Sequence, residues 1–286
     1  MALMKVSSLQ IALSQELPCK YGSSPTLEAE IIIRHALRID RTQFYASLNL
    51  ELTQDQLKFI NLLFQRRLTG EPLPYIIGKK EFFGLELNVC DEVLIPRQET
   101  EILVEVALDF ASSLELYDPI IVDVGTGSGA IALALSTRMP KAAIYGVDIS
   151  HKALMVANKN KQHLEVGSNV TFLQSDLLTS FRGPVHIIVS NPPYISYDAK
   201  SIANTDLSYE PRLALDGGKG GIEVIRRLYS ESKNVLNKHQ GCIIVEISPE
   251  QECQILELAR TTFPNSNTRS IADLSGSARA VVSASP

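Results

Sequence analysis

The chain has 286 residues, of which 45% are apolar and 21% are charged, and its formal net charge at pH 7 is −5. This length and composition are typical of a globular protein of about two domains, and they exclude a disordered, collagen-like or disulfide-scaffold chain. The acidic balance argues against a protein that coats duplex DNA non-specifically, because such binding needs a dense basic face.

The charge is unevenly distributed along the chain. Residues 1–80 carry 10 basic and 7 acidic side chains, a net charge of +3, whereas residues 81–286 carry 17 and 25, a net charge of −8. A solvated helical surface explains this asymmetry without any function. The alternative is that the first segment binds an acidic or RNA-associated partner.

The cysteines indicate neither a metal site nor a disulfide framework. Cys19, Cys90, Cys242 and Cys253 form no CxxC pair and show no metal-binding spacing with histidines, so we expect reduced thiols and no metal. No run of about 18 apolar residues and no signal-peptide pattern occurs in the sequence. We therefore expect a cytoplasmic protein without a membrane segment.

The first 75 residues predict a small helical domain. Residues 27–37 carry apolar side chains at helical spacing, with Thr26 as the expected cap, and a second helix is predicted to start at Thr53, where Thr-Gln-Asp-Gln resembles a capping box. Two prolines in residues 70–74 end that helix. Residues 76–95 then carry β-formers interrupted at Gly84, which predicts a hairpin linker to a second domain of residues 96–286.

From residue 119 onward, short apolar strands alternate with amphipathic helices. This pattern predicts a doubly wound α/β fold with a mostly parallel sheet covered on both faces. The predicted strands are 120–124, 143–147, 170–174, 185–190, 242–247 and a last edge strand at 279–284. The predicted helices are 99–110, 130–137, 151–164, 221–236 and 249–261.

A glycine-rich turn follows the first of these strands. Its glycines permit a tight strand-to-helix turn, let a ligand approach the backbone, and present amide N–H groups at a helix amino end. Such a turn also serves plain packing. The candidate ligand-binding residues of this turn are Gly125, Thr126, Gly127, Ser128 and Gly129.

Two acidic residues follow the next two strands. Asp148 lies 21 residues after Gly127, a spacing at which a carboxylate accepts both ribose hydroxyls of NAD or of S-adenosylmethionine. The glycines run G-x-G-x-G rather than G-x-G-x-x-G, with Ala130 at the last position, so the loop fits S-adenosylmethionine better than NAD. Asp176 suits the exocyclic amine of adenine, with Leu177 packed on the ring, although a strand-end cap explains Asp176 equally well.

The sequence Asn191-Pro192-Pro193-Tyr194 directly follows the fourth strand. Two prolines stiffen the loop and remove N–H donors, while their carbonyls remain acceptors. With the amide oxygen of Asn191, the loop offers acceptors that converge on one small NH2 group, and Tyr194 supplies a flat face. A nitrogen attached to sp2 carbon needs this arrangement, because its delocalised lone pair makes it a poor nucleophile towards a methyl group.

These motifs resemble those of amino-methyltransferases that use S-adenosylmethionine, and in particular the release factor glutamine methyltransferase family. Similarity extends over nearly the whole chain, since residues 67–78, 93–101, 209–218 and 246–251 are similar to further family blocks. The resemblance implies a seven-stranded Rossmann-like methyltransferase sheet and a helical amino-terminal domain joined to it by a hairpin. Gln98 replaces a proline usual in the family, which predicts a slightly looser turn, and Leu177 replaces an aromatic residue of some relatives.

The resemblance also implies roles for individual residues. It implies that Gly125 to Gly129, Asp148, Asp176, Leu177 and Asn191 hold the cofactor, and that Asn191 to Tyr194 bind the substrate amide, with Asn191, Pro192 and Tyr194 catalytic. The implied reaction methylates the glutamine of the Gly-Gly-Gln loop in peptide chain release factors and yields S-adenosylhomocysteine. We expect a monomer whose basic helical domain, including Arg34, Arg38 and Arg41, docks the release factor.

Two other functions share part of this pattern. An adenine- or cytosine-amino DNA methyltransferase also presents acceptors and a flat face to an amine, but it must extract its base from the duplex, and no basic recognition region stands out here. A non-enzymatic cofactor-sensing protein is the other alternative. The intact Asn191–Tyr194 loop argues against it.

Overall fold

The computed structural model of the chain describes residues 4–18, 24–166, 168–196 and 206–285, so Cys19 lies outside the described residues. The chain divides into two compact units, Met1–Gly78 and Lys79–Pro286. Within the described residues, no helix is long and apolar enough to cross a bilayer. Each unit folds around apolar clusters of its own.

The first unit is helical. Its core is a cluster of buried apolar side chains contributed mainly by the first, second and fourth helices, among them Leu9, Ile32 and Ile60. The helices are α1 (Val6–Glu16), α2 (Pro25–Leu37), α3 (Arg41–Ala46), α4 (Gln54–Leu68) and α5 (Leu73–Ile77).

The ends of these helices test the cap predictions. Thr53 caps α4 in a capping box with Gln56, which confirms the prediction. The prediction of Thr26 as the cap of α2 is wrong: Ser24 accepts from the N–H of Leu27, and Pro25 occupies the first helical position. Residues 76 and 77 were expected to belong to the hairpin linker, but they are the last two residues of α5, because Pro74 is compatible with a first helical turn.

Charge in the helical unit is partly neutralised within it. Glu30 is buried, and its carboxylate pairs with Arg34 at 3.2 Å and with Arg41 at 3.1 Å. Buried carboxylates are stable only when paired or hydrogen-bonded. Two of the three arginines that were expected to face a partner therefore also stabilise their own unit.

The second unit begins with the predicted hairpin, formed by β1 (Lys79–Phe82) and β2 (Leu85–Asn88). Phe83 and Gly84 at its turn both have positive φ, as the two central residues of a type I′ hairpin turn require. The N–H of Phe83 donates to Glu101 at 2.9 Å, and this bond holds a non-glycine residue in that conformation. Phe82 and Leu87 are buried in the core of the larger unit.

A seven-stranded sheet forms the centre of the second unit, in the order β5-β4-β3-β6-β7-β9-β8. Five strands run parallel, and β9 and β8 are antiparallel additions at one end, so the predicted doubly wound, mostly parallel sheet is confirmed. The strands are β3 (Ile120–Val124), β4 (Ala143–Asp148), β5 (Val170–Gln174), β6 (Ile187–Ser190), β7 (Cys242–Glu246), β8 (Asn267–Ala272) and β9 (Ala278–Ala284).

Helices cover both faces of this sheet. One apolar cluster contains the buried side chains of the first two helices that flank the sheet, and the other contains those of the last two, such as Leu228 and Ile255. The strands between them are buried on both sides, as continuous apolar runs predict. The helices are α6 (Glu101–Ser113), α7 (Ala130–Arg138), α8 (His151–His163), α9 (Glu223–Ser232) and α10 (Glu252–Thr262).

The predicted position of the edge strand is wrong. Residues 279–284 belong to β9, which lies between β7 and β8, and β8 is the edge. The residue patterns did not locate β8, because its sequence Asn-Thr-Arg-Ser-Ile-Ala carries few apolar residues. A polar strand at this position is physically reasonable, since an exposed edge with apolar side chains invites pairing with other chains.

The chain order in the sheet creates a switch point. After β3 the chain continues outward through β4 and β5, and it then returns to place β6 on the other side of β3. In doubly wound sheets, ligands bind outside the carboxyl ends of the strands at this point. The parallel register pairs Val124 with Ser190, so that Gly125 and Asn191 emerge side by side.

Asn160 of α8 joins the hairpin to the glycine-rich turn. Its Oδ1 accepts from the backbone N–H and the side-chain amide of Asn88 at 2.7 and 2.9 Å. Its Nδ2 donates to the carbonyls of Asn88 at 3.0 Å and Ser128 at 2.9 Å. Asn160 is fully buried, and without it the carbonyl of the buried Ser128 and the half-buried groups of Asn88 would lose these bonds.

We predict that Asn160→Ala lowers the free energy of unfolding by about 3 kcal/mol, since it removes four hydrogen bonds to Asn88 and Ser128. Urea denaturation monitored by circular dichroism measures the change. Asn158→Ala on the same helix is the matched control, because Asn158 makes a local bond to Leu154 O and should lose under about 1 kcal/mol. Equal losses in the two variants would contradict the role given to Asn160.

Candidate functional site

A cavity of about 430 Å³ opens where β3, β4, β5 and β6 end, a volume suited to a small-molecule ligand. The structure brings nine of the sequence-predicted site residues to its walls. They are Gly125, Thr126, Gly127, Ser128, Asp148, Asp176, Leu177, Asn191 and Pro193. The other three, Gly129, Pro192 and Tyr194, adjoin these in the chain but do not line the cavity.

The glycine-rich turn has the tight backbone that the sequence predicts. Gly125, Gly127 and Gly129 have φ values of +74°, +54° and +82°, which disfavour residues with side chains. The expectation that the turn presents its amides to a ligand is wrong for four of them, because they donate within the protein. Gly125 N and Thr126 N donate to Val147 O, Gly127 N to Asp148 Oδ2, and Gly129 N to Thr126 O.

The side chain of Asp123, the fourth residue of β3, stabilises this turn through hydrogen bonds. Its Oδ2 accepts from the Thr126 hydroxyl at 2.6 Å and from the backbone N–H of Ala132 at 3.1 Å. Within the described residues, its buried Oδ1 has no hydrogen-bond partner. Burial raises the pKa of Asp123 to about 7, and the nearby Asp148 carboxylate contributes to the increase.

Asp148 ends β4 and faces the cavity. Its Oδ1 accepts from the N–H of Ser150 at 2.8 Å, and its Oδ2 accepts from the N–H of Gly127 at 2.9 Å. Burial raises the pKa of Asp148, whereas these backbone donors act in the opposite direction. Since a carboxylate oxygen takes more than one donor, both oxygens retain capacity for the hydroxyl groups of a ligand.

Asp176 and Leu177 follow β5 at the far side of the cavity. Asp176 Oδ2 accepts from Arg227 Nη2 at 2.8 Å, and both side chains are about half exposed. Leu177 has a positive φ of 48°, an uncommon conformation for a residue with a side chain. This backbone keeps Leu177 at the cavity wall, where sequence reasoning expected an apolar contact.

Asn191 is held by a hydrogen bond from its own side chain. Asn191 Nδ2 donates to Thr100 Oγ1 at 3.1 Å, and Thr100 Oγ1 donates to Glu246 Oε2 at 2.7 Å. Tyr194 Oη donates to Glu246 Oε1 at 3.3 Å, so that both ends of the loop connect to one carboxylate. In the part of the chain that the structure describes, the amide oxygen of Asn191 accepts no hydrogen bond.

The backbone after this loop is held tightly as well. Gln251 Nε2 donates to the carbonyl of Tyr194 at 3.0 Å, and Gly217 N donates to the carbonyl of Ile195 at 2.9 Å. A Cβ at Gly217 would lie 2.6 Å from the carbonyl oxygen of Pro193. The Pro193 carbonyl therefore lies against Gly217, where a residue with a side chain would not fit.

Two of the motifs quoted for the family resemblance meet in space. Arg97 pairs with Glu210, whose carboxylate is buried, and Glu210 Oε2 also accepts from the backbone N–H of Ile95 at 3.1 Å. The contact closes a stretch of 113 residues and holds the segment before α6 against the segment after β6. Pro96 and Pro211 of these segments line the cavity.

Sequence reasoning assigned no role to three residues that organise the site: Thr100, Asp123 and Glu246. One signal was available for Asp123, because a carboxylate inside an otherwise apolar strand is costly to bury and indicates a specific partner. Thr100 and Glu246 appeared only within family motifs. Within the described ranges, no three histidine, cysteine or acidic side chains lie close enough to hold a metal ion.

Comparison with known proteins is consistent with this geometry. The model of the PrmC N-terminal domain matches residues 9–78, and the model of the methyltransferase small domain matches residues 100–239. A 16S rRNA methyltransferase of T. thermophilus, solved in complex with AdoMet and guanosine, aligns with a TM-score of 0.51 at 17% identity, covering 73% of this chain and 50% of that one. The fold and the site define the class of Rossmann-like α/β methyltransferases.

Two curated relatives identify the family within this class. The release factor glutamine methyltransferase of Moorella thermoacetica is 39% identical over 253 residues, which is 88% of each chain. The protein of the same name from Rhodopirellula baltica is 40% identical over 238 residues, covering 80% of this chain and 79% of that one. The chain belongs to the release factor glutamine methyltransferase family.

We predict that Asp123→Asn removes a pH dependence of stability. Because the folded state binds the Asp123 proton more tightly than the unfolded state, stability falls as the pH rises from the ordinary pKa of 3.8 through about 7. Between pH 5 and pH 8, the wild type should lose about 2–3 kcal/mol relative to the variant. Urea unfolding across this range measures the difference.

Asp109→Asn is the matched control for this measurement, since Asp109 is an exposed carboxylate on α6 of the same unit. A constant difference between wild type and Asp123→Asn from pH 5 to pH 8 would show that the raised pKa is wrong.

Proposed function

We propose that the protein transfers a methyl group from S-adenosylmethionine to the side-chain amide nitrogen of the glutamine in the Gly-Gly-Gln loop of peptide chain release factors. The observation that carries this proposal is the side-by-side emergence of the Gly125 turn and the Asn191 loop at the switch point of the sheet. Membership of the family supports the choice of substrate.

The cavity residues fit the cofactor. S-adenosylmethionine, when bound, supplies a methyl group made electrophilic by a sulfonium. The bare backbone of Gly125 and Gly127 accommodates the methionine part, and Asp148 accepts from the ribose hydroxyls with the capacity left on its two oxygens. The carboxylates lining the cavity also favour a cationic sulfonium.

The adenine ring is assigned to the far side of the cavity. Asp176 accepts from the exocyclic amine, and Leu177 packs on the ring. Arg227, which pairs with Asp176, lines the same wall and limits the freedom of that carboxylate. An ion pair this exposed contributes little to stability, so its main effect is to orient Asp176.

The Asn191 loop binds and orients the substrate. Asn191 Oδ1 accepts one N–H group of the glutamine amide at the cavity wall. The Pro192 carbonyl, which adjoins this wall without lining it, accepts the other, and Tyr194 lies beside the amide plane. Holding both N–H groups in this way favours the rehybridised nitrogen that attacks carbon. The nitrogen gains the methyl group as the methyl–sulfur bond of the sulfonium breaks, so that S-adenosylhomocysteine is left. The nitrogen then releases one proton to water, since that proton becomes acidic only as the new bond forms.

Positioning supplies most of the acceleration in this scheme. A well-oriented pair of reactants gains about 7–11 kcal/mol over a bimolecular encounter. Fixed acceptors add electrostatic stabilisation of the partial positive charge on the nitrogen, without reorganisation during the reaction. No strong base is required at the amide before attack.

The helical unit is the proposed docking surface for the release factor. Its match to a family-specific amino-terminal domain supports this assignment. Large apolar side chains exposed on the unit, such as Phe59 and Leu62, suit a protein partner. The net charge of +3 on residues 1–80 gives weaker support for docking, since Glu30 already pairs with Arg34 and Arg41.

Mass spectrometry of a release factor after incubation with labelled S-adenosylmethionine tests the proposal directly. The expected result is one methyl group on the glutamine of the Gly-Gly-Gln loop. Duplex DNA offered in the same reaction tests the amino-methyltransferase alternative. Label on DNA alone would overturn the proposed function in favour of that alternative.

We predict that Asn191→Ala abolishes methyl transfer, with a decrease in kcat of at least about 100-fold, because the amide nitrogen loses its main acceptor. Cofactor affinity should change less than about threefold, since the glycine turn and Asp148 are unaltered. Asn158→Ala, on α8, is the matched control. Near-normal transfer by Asn191→Ala would refute the role of Asn191.

We predict that Asp148→Asn weakens binding of S-adenosylmethionine by about 10–100-fold, because a charged acceptor is lost and the new NH2 group opposes the N–H of either Gly127 or Ser150. Isothermal titration calorimetry measures the affinity. Asp109→Asn again serves as the control. Unchanged affinity would remove Asp148 from the cofactor site.

A further inference from the structure

Four side chains near the cavity form one continuous hydrogen-bonded chain: Asn191, Thr100, Glu246 and Tyr194. The three links measure 3.1, 2.7 and 3.3 Å. Glu246 is the last residue of β7, and the register that pairs Ser190 with Val245 brings it beside Asn191. Thr100 comes from the short turn before α6, 91 residues from Asn191 in the chain.

The chemistry of each group determines which partner donates in each of these hydrogen bonds. An ionised carboxylate accepts hydrogen bonds and donates none, so both Thr100 and Tyr194 must direct their hydroxyl protons to Glu246. Thr100 has only one hydroxyl proton, and its oxygen is then left as an acceptor. The group that donates to this oxygen is the NH2 of Asn191, which leaves Oδ1 as the free atom of the amide.

We propose that Thr100 and Glu246 are positioning residues that set the orientation of the Asn191 amide, so that its oxygen rather than its NH2 group faces the substrate. This inference rests on the proposed function, in which Asn191 Oδ1 accepts from the glutamine amide. Neither positioning residue needs to touch the substrate. The negative charge of Glu246 acts on the reaction through the orientation of a neutral amide.

Burial of Glu246 and Thr100 strengthens the argument. Both side chains are buried, and a carboxylate in such a place is costly unless its hydrogen bonds are well formed. The pKa of Glu246 is raised to about 7, chiefly by burial with a smaller contribution from Glu99, while Thr100, Tyr194 and Arg279 act in the opposite direction. In a purely structural cluster, a neutral glutamine would avoid the desolvation cost of this buried charge.

Removing the negative charge of Glu246 reverses the donor-to-acceptor direction of these hydrogen bonds. A protonated Glu246 or a glutamine at this position has its own proton to donate, and Thr100 Oγ1 can accept it. The Thr100 hydroxyl is then free to donate to Asn191 Oδ1. The Asn191 amide turns over, and its NH2 group faces another NH2 group on the substrate.

Three variants, with two controls, separate this role from simple packing. Thr100→Val keeps the shape and removes the hydroxyl, whereas Thr100→Ser keeps the hydroxyl, and Glu246→Gln keeps the shape and removes the charge. Thr268→Val is the matched control, because Thr268 forms hydroxyl bonds to Ser283 and Ser266 in the β8–β9 pair, outside the cavity walls. Glu252→Gln is the corresponding control for the carboxylate, since Glu252 accepts from the Ser270 hydroxyl.

Each variant is assayed with a release factor, first for cofactor binding by calorimetry and then for kcat and KM. We expect Thr100→Val to lower kcat by about 100-fold with cofactor affinity unchanged, and Thr100→Ser to recover it to within about threefold. Both control variants should match the wild type. Wild-type kcat in Thr100→Val, or no recovery in Thr100→Ser, would overturn the inference.

The pH profile gives a readout that a structural role would not change. In the wild type, kcat should rise through about pH 7 as Glu246 ionises, whereas Glu246→Gln should give a low kcat without this inflection. Because the pKa of Asp123 is also about 7, the comparison is made in the Asp123→Asn background, where the same inflection with and without Glu246→Gln would overturn the inference. If Thr100→Val does not fold or bind the cofactor, the profile of Glu246→Gln decides alone.

The outcomes also distinguish this inference from the proposed function. Absence of methyl transfer by the wild-type protein contradicts the proposed function and with it the role of the positioning residues. Transfer by the wild type that persists in Thr100→Val and Glu246→Gln contradicts only the positioning role.

Discussion

The parallel register of β3, β6 and β7 is the constraint on which the rest of the site depends. It pairs Val124 with Ser190 and Ser190 with Val245, so three strands end level with one another. The Ser190 hydroxyl also donates to the carbonyl of Val124 at 2.7 Å and holds the first two strand ends together. A slip of one residue would turn every side chain of a strand to the opposite face and separate the glycine turn from Asn191.

Two buried carboxylates stabilise the loops that extend from these strand ends, and both do so at a cost. Asp123 fixes the glycine turn, Glu246 fixes the Asn191 loop, and burial raises the pKa of each to about 7. Ionisation of these two groups therefore lowers the stability of the folded protein as the pH rises through about 7. Proteins retain such groups where a defined loop conformation matters more than a small gain in stability.

The sequence was most informative where one local pattern determines the structure. Short apolar strands alternating with helices predicted the parallel sheet, and the glycine turn, Asp148 and Asn191 could be placed together because parallel strands end at one edge of it. The polar strand β8 and the helix α5 lacked such a pattern. The contacts of Thr100 with Asn191 and Glu246 span 91 and 146 residues, and only the folded chain reveals them.

The same donor and acceptor chemistry explains why position 191 carries an amide. Asparagine donates to Thr100 and still has an oxygen free, whereas an aspartate would have no proton to donate and would compete with Glu246 for the single hydroxyl proton of Thr100. Two carboxylates in such proximity cannot both remain ionised, so one would be protonated and the direction of the bonds would be lost. With the neutral amide of Asn191, the buried charge of Glu246 stays behind Thr100 and away from the cavity wall. The single acceptor atom of the amide, Oδ1, then faces the cavity.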